Sequence, residues 1–274
     1  MAASSTLVTS RANARVKQLR AAFAGNARLS GGLVAIEGEN LLQEALRSGL
    51  PLKTIFLSER AAQPAWLPRG VELLHLAEEV FLSAVDTQHP QGIAALLVPP
   101  VWDIESIFAS DTRAAPLVLI AAALQDPGNL GTLIRSAEAF GATAVLTTAG
   151  TVSEWNQKAL RASAGSVFRL PVVQLAAADI AALKSRGLRV FAAVAPGGGT
   201  SSIADVLSVS TDLTQPCALM IGNEGAGLTP ELLQIADSCI TIPMPGRVES
   251  LNAAVAGSLL LYEASRQRTL HLEP

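Results

Sequence analysis

The sequence has few of the residues from which disulfide frameworks, metal sites and membrane spans are built. Its 274 residues include 3 histidines, at no metal-ligand spacing, and 2 cysteines, Cys217 and Cys239. Two cysteines exclude a disulfide framework and fit a reducing compartment. The longest apolar run, residues 114–124, is interrupted by Pro116 and is too short to cross a bilayer. We therefore expect a cytoplasmic globular protein without a metal site or a membrane span.

Positive charge is concentrated at the start of the chain. Residues 1–36 contain no acid and five basic residues, namely Arg11, Arg15, Lys17, Arg20 and Arg28. Because the whole chain has a formal net charge of −3, the remaining residues carry −8. A basic arm of this kind is a common way to bind nucleic acid through counterion release, with Arg11, Arg15 and Lys17 as candidate contacts. A solvated tail and an organelle transit peptide have the same composition, so these alternatives stay open.

A stretch rich in proline and short polar residues, 101–115, predicts a linker between two domains, 1–100 and 116–274. Periodicity in the first domain predicts a small α/β fold with no catalytic cluster. Its expected strands are 33–36, 54–57, 71–76 and 92–98, and its expected helices are 40–47 and 78–85. A short helix at 104–109 is expected within the linker.

The second domain has a stronger α/β pattern. Residues 117–124 form a continuous apolar run, which is typical of a parallel strand buried on both faces. A turn, a helix at 130–140 and a strand at 144–148 complete one βαβ unit. The other expected elements are strands at 189–194, 217–221 and 238–242 and a closing helix at 251–268. This pattern predicts a parallel sheet.

The first of three candidate constellations runs from Asp126 to Arg135. Asn129 is a favourable N-cap, which would turn the first helical amides towards the end of the preceding strand, where ligands bind in open α/β sheets. Helical spacing directs Arg135 away from the apolar stripe. The alternative is a surface arginine paired with Glu138 three residues later.

The other two constellations follow later strands. Gly222, Gly225 and Gly227 surround Glu224 at a strand end, where backbone can approach a ligand closely. Their spacing differs from a dinucleotide-binding loop. In the third, prolines at 243 and 245 end a strand abruptly, and Ser250 is predicted to cap the last helix. That helix carries apolar residues expected in the core or in a dimer seam, namely Leu251, Val255, Leu259 and Tyr262.

Taken in order, the three constellations resemble the SpoU/TrmH branch of the SPOUT superfamily, RNA ribose 2′-O-methyltransferases that use S-adenosylmethionine. The family pattern Asp-Pro-x-Asn-x-Gly-x-x-x-Arg is met by residues 126–135, and Gly-x-Glu-Gly-x-Gly-Leu by residues 222–228. Ile-Pro-Met-x-Gly followed by Ser-Leu-Asn is met by residues 242–246 and 250–252, and residues 158–166 also look like the family.

The resemblance implies a C-terminal α/β domain with a parallel sheet and a deep trefoil knot. It also implies a preceding α/β domain of the ribosomal-protein L30e type, which binds RNA. S-adenosylmethionine would lie in the knot without a metal, and the members are homodimers through the knotted domain. The cofactor would be held by Gly222, Ile242, Met244, Gly246 and Leu251, largely through backbone.

The resemblance further assigns Arg135 to activation of the ribose hydroxyl, with orientation of the hydroxyl or stabilisation of the alkoxide as the rival to general-base action. Asn129, Glu224, Ser250 and Asn252 match the polar residues that surround the ribose, the phosphate and that arginine. Ribosomal RNA is the expected substrate, because the L30e-like domain accompanies the catalytic one. Transfer RNA, or a non-catalytic RNA-binding role, is the alternative.

Overall fold

The computed structural model describes residues 7–25, 27–87, 89–108, 115–196 and 205–270. These residues fold into two compact units. Unit 1 takes in the described residues of Met1–Val101 together with Trp155–Phe168, and unit 2 takes in the described residues of Trp102–Glu154 and Arg169–Pro274. The segment Trp155–Phe168 therefore lies in unit 1, although it falls within the range 116–274 assigned above to the second domain.

Unit 1 is built on a four-stranded mixed sheet in the order β1-β4-β2-β3. β4 pairs antiparallel with both β1 and β2, and β3 pairs parallel with β2. The strands are β1 (Val34–Glu37), β2 (Leu52–Ser58), β3 (Glu72–Leu76) and β4 (Ile93–Leu97). The helices are α1 (Ala14–Phe23), α2 (Ala27–Ser30), α3 (Glu39–Arg47), α4 (Glu78–Leu82) and α6 (Gln157–Ser163).

The described residues of the basic arm, from residue 7 onward, belong to the folded part of unit 1. Asn13 caps α1, and Val16, Leu19 and Phe23 of this helix join the core of the sheet. Val8 forms a parallel bridge with Leu76 of β3. The alternative of a solvated tail is therefore wrong for residues 7–23, because the apolar face of α1 is buried. Residues 1–6 lie outside the described part of the chain.

The helix α6 packs within unit 1 through specific polar contacts. The buried Gln157 side chain donates a 2.8 Å hydrogen bond to the carbonyl of Ala35 in β1. The helix ends at Ala164 in a left-handed conformation, and Gly165 follows with φ of 87°. A Cβ on Gly165 would lie 2.7 Å from Cβ of Glu44, so only glycine permits this close approach.

Unit 2 is built on a seven-stranded sheet in the order β7-β6-β5-β10-β8-β11-β9, in which every pairing is parallel. Its strands are β5 (Leu117–Ala121), β6 (Ala144–Thr147), β7 (Val172–Gln174), β8 (Arg189–Ala193), β9 (Asp205–Leu207), β10 (Cys217–Ile221) and β11 (Ser238–Thr241). Its helices are α5 (Pro127–Ala139), α7 (Ala177–Lys184), α8 (Pro230–Ile235) and α9 (Ala253–Leu270). The parallel sheet confirms the predicted fold class. The knot stays a prediction.

The central strands of unit 2 are buried along their whole length. All five residues of β5 and all five of β10 are buried, because helices pack on both faces of a parallel sheet. Strand β5 ends at Ala121 and is shorter than predicted, since the chain turns at Ala123, which has a positive φ of 52°. The expected linker helix is a 3₁₀ turn, Ile104–Ile107, and residue 109 lies outside the described part.

The longest helix of the described residues is α9, with 18 residues. Charged side chains such as Glu263 and Arg266 interrupt its apolar positions. Within the described ranges, neither this helix nor any other is both long enough and apolar enough to cross a membrane.

Candidate active site

A cavity of about 400 Å³ opens at the carboxyl ends of β8, β10 and β11, which are neighbours in the sheet. Parallel strands end at the same edge of a sheet, so the loops that follow them converge there. The volume lies within the range of small-molecule sites. Residues from four segments line the cavity: 193–195, 221–228, 240–244 in part, and 250–260 in part.

The loop after β10, residues 222–228, which we call the glycine loop, folds back on itself. The backbones of Asn223 and Gly227 exchange hydrogen bonds of 3.0 and 2.9 Å. A Cβ on Gly222 would lie 2.4 Å from the carbonyl carbon of Gly227, a contact with backbone that cannot move aside. Gly222 is therefore required for the shape of the loop, and the loop presents backbone rather than side chains to the cavity.

The side chain of Asn223 holds this loop in place. Its Oδ1 accepts hydrogen bonds from the amides of Gly225 and Ala226, at 2.9 and 3.0 Å. Its Nδ2 donates to the carbonyl of Ala123, 2.9 Å away. Asn223 is absent from the candidates chosen from the sequence. The signal available was an asparagine in a turn after a strand, where side-chain bonds to the backbone are common.

Three polar side chains from the three constellations meet beside the cavity. Asn252 Nδ2 donates to Asn129 Oδ1 at 3.1 Å, and Asn129 Nδ2 donates to Glu224 Oε1 at 2.9 Å. A carboxylate only accepts hydrogen bonds, so it sets the orientation of the Asn129 amide, which in turn sets that of Asn252. The hydrogen bonds thus run from Asn252 through Asn129 to the carboxylate of Glu224. Glu224 also lines the cavity.

Glu224 is held in its ionised form. Desolvation is the largest influence and raises its pKa, but donors outweigh it together and leave the pKa below its ordinary value. The donors are the Asn129 side chain and backbone amides that include those of Gln125 and Asp126. A carboxylate with a lowered pKa is a weak base, so the geometry suits Glu224 to orienting Asn129.

Arg135 lies in α5 with an exposed side chain. Among the described residues no hydrogen bond or ion pair to its guanidinium is found. Glu138, the alternative partner considered above, instead accepts two hydrogen bonds from Arg169, at 2.6 and 3.0 Å. That alternative is wrong, because Glu138 pairs with Arg169 and no ion pair is found between Glu138 and Arg135, both of which lie in the described ranges. Arg135 therefore presents a cation without an ion pair in the described part of the chain, on the outer face of the helix that also carries Asn129.

Two helix caps differ from the predictions. Helix α5 begins at Pro127, and Asp126 caps it by accepting from the Asn129 amide at 2.9 Å, so Asn129 itself is not the cap. The proline at the first helical position was the signal for this earlier start. The closing helix α9 begins at Ala253, and its amides at 254 and 255 are bonded by Asn252, so the prediction of Ser250 as its cap is wrong.

The predicted cofactor residues mostly line the cavity. Gly222, Ile242, Met244 and Leu251 all do so, and Ser250, assigned to the polar set, lines it as well. Gly246 lies outside this lining and is exposed. Isoleucine, methionine and leucine side chains with backbone amides suit a ligand that has a flat apolar part and polar edges, as S-adenosylmethionine has. These residues fit that cofactor.

The candidate RNA contacts lie in unit 1, on and before α1. Arg15 is 2.9 Å from Glu72, and Arg11 is 4.0 Å from Glu79, so both arginines face acids of the same unit. Lys17 is exposed and has no ion pair among the described residues. Arg15 and Lys17 border a groove of about 720 Å³ that also includes Arg20 and the exposed Leu29.

Comparisons with known proteins agree with this geometry. The SpoU rRNA Methylase family matches residues 116–262, and an MRM3-like substrate binding domain matches residues 13–95. The chain is 35% identical over 256 residues to the 23S rRNA (guanosine(2553)-2'-O)-methyltransferase RlmP of Bacillus subtilis, covering 93% of this chain and 97% of that protein.

A second relative and two solved structures extend the likeness. The 23S rRNA (uridine(2479)-2'-O)-methyltransferase of Streptomyces viridochromogenes is 31% identical, over 95% of this chain and 92% of its own length. The crystal structure of the SpoU methyltransferase AviRb from that organism with AdoMet has a TM-score of 0.79 at 29% identity, covering 94% of this chain and 98% of that one.

An AdoMet-bound rRNA methyltransferase from Sinorhizobium meliloti has a TM-score of 0.79 at 28% identity, and the match covers 98% of this chain and 99% of that one. The family match spans more than half of this chain, and it contains all three constellations of the site. The chain therefore belongs to the SpoU rRNA methylase family.

Proposed function

We propose that this chain transfers a methyl group from S-adenosylmethionine to a ribose 2′-OH of ribosomal RNA. The observation that carries the proposal is the meeting of Asn129, Glu224 and Asn252 beside the cavity at the ends of β8, β10 and β11. Family membership supports the reaction, and the names of the curated relatives favour ribosomal RNA over transfer RNA.

The cavity accommodates the methyl donor through residues of this chain. S-adenosylmethionine supplies a methyl group that its sulfonium centre has already activated for transfer. Ile242, Met244 and Leu251 provide the apolar walls, and the glycine loop provides backbone donors and acceptors. Because the donor is activated, positioning of the hydroxyl and exclusion of water contribute much of the rate.

We propose that Arg135 contacts the ribose 2′-hydroxyl that accepts the methyl group. Arginine side chains are cationic in proteins, and that of Arg135 is exposed without an ion pair among the described residues. A cation beside the hydroxyl oxygen would stabilise the negative charge that develops there as the proton passes to solvent water and the oxygen takes the methyl group from the sulfonium sulfur. Since arginine rarely gives up a proton, orientation of the hydroxyl and stabilisation of the alkoxide describe its role better than general-base catalysis.

Asn129, Asn252 and Ser250 supply the polar surroundings of the ribose and its phosphate in this proposal. Asn129 and Asn252 are oriented by the donor chain that ends on Glu224. Ser250 lines the cavity next to Leu251. The asparagine amides and the serine hydroxyl are neutral. They can therefore form hydrogen bonds to ribose hydroxyls without forming an ion pair with Arg135.

Unit 1 is proposed to hold the RNA. The match to an MRM3-like substrate binding domain covers residues 13–95, which include α1 with Arg15 and Lys17. Arg11 lies just before that match. With aromatic residues at 4% of the sequence, phosphate contacts and RNA shape should dominate over base stacking.

We further propose that the enzyme is a homodimer in the cytoplasm. Val255, Leu259 and Tyr262 follow one face of α9 and remain 48%, 45% and 52% exposed. The ring of Tyr262 stands edge-on to Phe140 of the α5 end, 5.7 Å between centroids, so the apolar face extends across two helices. A second copy of this face would cover it. The proposed cytoplasmic location rests on the bacterial relatives that are named for modifying ribosomal RNA.

The reaction is tested by incubating the protein with labelled S-adenosylmethionine and separated 16S, 23S and transfer RNAs, followed by ribose-methylation mapping. We expect label at a single 2′-OH in 23S RNA, as the names of the two curated relatives suggest. Label on the transfer RNA alone would overturn the substrate class. Label on a base would overturn the reaction.

A further inference from the structure

We infer that Asn223 is a positioning residue that fixes the glycine loop to the end of β5. The inference rests on the proposed function, since it gives the glycine loop its role in holding S-adenosylmethionine. The side chain is half-buried and bonds in two directions, to the loop through Oδ1 and to the Ala123 carbonyl through Nδ2.

Ala123 is the point at which the pairing of β5 and β10 stops. The amide of Ala122 still bonds to the carbonyl of Ile221, at 2.8 Å, as in the parallel ladder. Ala123 then adopts a φ of 52°, which L residues other than asparagine and aspartate rarely adopt. Its backbone groups leave the ladder and need other partners.

Side chains from both neighbouring strand ends provide those partners. The Ala123 amide donates to Thr148 Oγ1, 3.0 Å away, just after β6. The Ala123 carbonyl accepts from Asn223 Nδ2 just after β10. The unfavourable conformation of Ala123 is thus held from both sides, and only the Asn223 side also reaches the cofactor cavity.

Asn223 and Glu224 act together on the loop that follows β5. Glu224 accepts from the backbone amides of Gln125 and Asp126 and from Asn129. Asn223 places the carbonyl of Ala123, two residues before Gln125. Two adjacent side chains therefore join the glycine loop to residues 123–129, so the position of Asn129 depends on Asn223.

The test compares variants in the full chain. Asn223→Asp keeps the acceptor for Gly225 and Ala226 but removes the donor to Ala123, whereas Asn223→Ala removes both. We expect Asn223→Asp to raise the Kd for S-adenosylmethionine about 5-fold or more, because it loses one hydrogen bond and sets a carboxylate oxygen against the Ala123 carbonyl, and we expect Asn223→Ala to raise the Kd as well. Asn156→Asp is the matched control, because aspartate caps α6 as well as asparagine does.

A rescue variant separates positioning from a general loss of structure. Glycine adopts a positive φ without strain, so Ala123→Gly needs less support from Asn223. In the Asn223→Asp background it should recover part of the lost affinity, and the two changes should not be additive. Full additivity would overturn the inference, and so would a Kd in Asn223→Asp equal to that of the wild type.

Amide exchange on the wild-type chain provides a readout without any variant. No residue of 122–128 lines the cavity among the described residues. If Asn223 joins the two segments, S-adenosylmethionine should slow exchange in 222–228 and in 122–128 together. Slowing in 222–228 alone would overturn the inference, whereas a wild-type chain that binds no S-adenosylmethionine would overturn the proposed function instead.

Discussion

Each unit has a glutamate where a strand ends, and the two differ in electrostatic state. Glu37 ends β1 in unit 1 and is 6% exposed, and burial is the main reason that its pKa lies above its ordinary value. Glu224 follows β10 in unit 2 and is exposed, and its donors hold its pKa below the ordinary value.

The number and kind of donors explain the difference. Glu37 accepts from the Gln91 amide at 2.6 Å and feels the charge of Arg161, but these do not outweigh its desolvation. Glu224 loses less hydration and gains an amide side chain together with backbone amides. Glu37 is thus a buried carboxyl group within the packed fold of unit 1. Glu224 is an ionised carboxylate that orients the polar groups around it in unit 2.

The largest difference between the two units is expected when Arg135, which lies in unit 2, is replaced. Arg135→Ala should lower kcat by about 10²- to 10³-fold, the cost of losing a group that stabilises charge in the transition state. The Kd for S-adenosylmethionine should stay unchanged, because Arg135 does not line the cavity. Activity is measured by methyl incorporation into RNA and Kd by calorimetry.

Arg186→Ala is the matched control for that variant. Arg186 is a partly exposed arginine of unit 2 that pairs with Glu105 at 2.8 Å. Its removal should leave kcat within about twofold, as expected for a surface ion pair. If Arg135→Ala kept the wild-type kcat, the proposed role of Arg135 in the reaction would be wrong.

A matched pair of glycine substitutions compares the units directly. Gly222→Ala drives a Cβ into backbone at 2.4 Å in the glycine loop, so we expect the Kd for S-adenosylmethionine to rise by about 100-fold or more, equivalent to about 3 kcal/mol. Gly165→Ala strains unit 1, at φ of 87° and against Glu44, and should cost about 1–3 kcal/mol of unfolding free energy.

Gly165→Ala should nevertheless bind S-adenosylmethionine normally at a temperature at which it is folded. Calorimetry and denaturant unfolding measure the two quantities on the same samples. If Gly165→Ala lost cofactor affinity as Gly222→Ala does, the assignment of cofactor binding to unit 2 alone would be wrong.

The RNA contribution of unit 1 is tested through salt dependence. Replacing Arg11, Arg15 and Lys17 with alanine should weaken RNA binding and reduce the slope of log K against log salt, by about 0.7–0.9 for every phosphate that the variant no longer neutralises. Filter binding at several salt concentrations measures the slope. An unchanged slope would show that the three residues do not bind phosphate.

Single variants refine this expectation. Lys17→Ala should reduce the slope more than Arg11→Ala, since Arg11 already faces Glu79 whereas Lys17 has no ion pair among the described residues. The opposite order would indicate that the arginines exchange their acids for phosphate when RNA binds.

The smallest effects concern pH. The raised pKa of Glu37 means that its contribution to stability is fully present below its unfolded pKa and is lost as pH rises through its folded pKa. Glu37→Gln should therefore raise the Tm at neutral pH, with a smaller gain in acid. A Tm for this variant below that of the wild type at neutral pH would contradict the raised pKa.

Glu224 should show the opposite sign. Its lowered pKa gives a contribution that is present above its unfolded pKa and is lost as pH falls through its folded pKa. Glu224→Gln should lower the Tm at neutral pH, and the difference should shrink in acid. Thermal scans from neutral to acid pH measure both variants, and equal differences at all pH values would contradict the lowered pKa.

Much of unit 2 was predictable because its strands are strongly patterned. Strand β10 was predicted at 217–221 and is Cys217–Ile221, and the βαβ unit from β5 to β6 was predicted, although β5 ends and α5 begins three residues earlier than expected. Helices α1, α2, α6 and α7 were missed. In α1 the basic residues obscure the spacing of the apolar residues. Helix α6 has only seven residues, which is too short for its hydrophobic periodicity to be recognised.

The caps were misassigned for a related reason. Asp126 and Asn129 are both favourable cap residues, as are Ser250 and Asn252, and the sequence offers both members of each pair. Which residue caps depends on where the helix begins, and that is decided by packing of the first turn. Asn223 was missed because its role requires the carbonyl of Ala123, 100 residues earlier.

The sequence by itself determined all strands except β7 and β9, the glycine loop, and the residue types of the three constellations, because hydrophobic runs and backbone requirements are local properties. Only the tertiary structure decided that Asn129, Glu224 and Asn252 touch, across separations of 95 and 123 residues. It also decided that α6 belongs to unit 1. The physical reason is the parallel sheet, whose strands end at one edge and bring distant loops together there, with contacts that no local pattern contains.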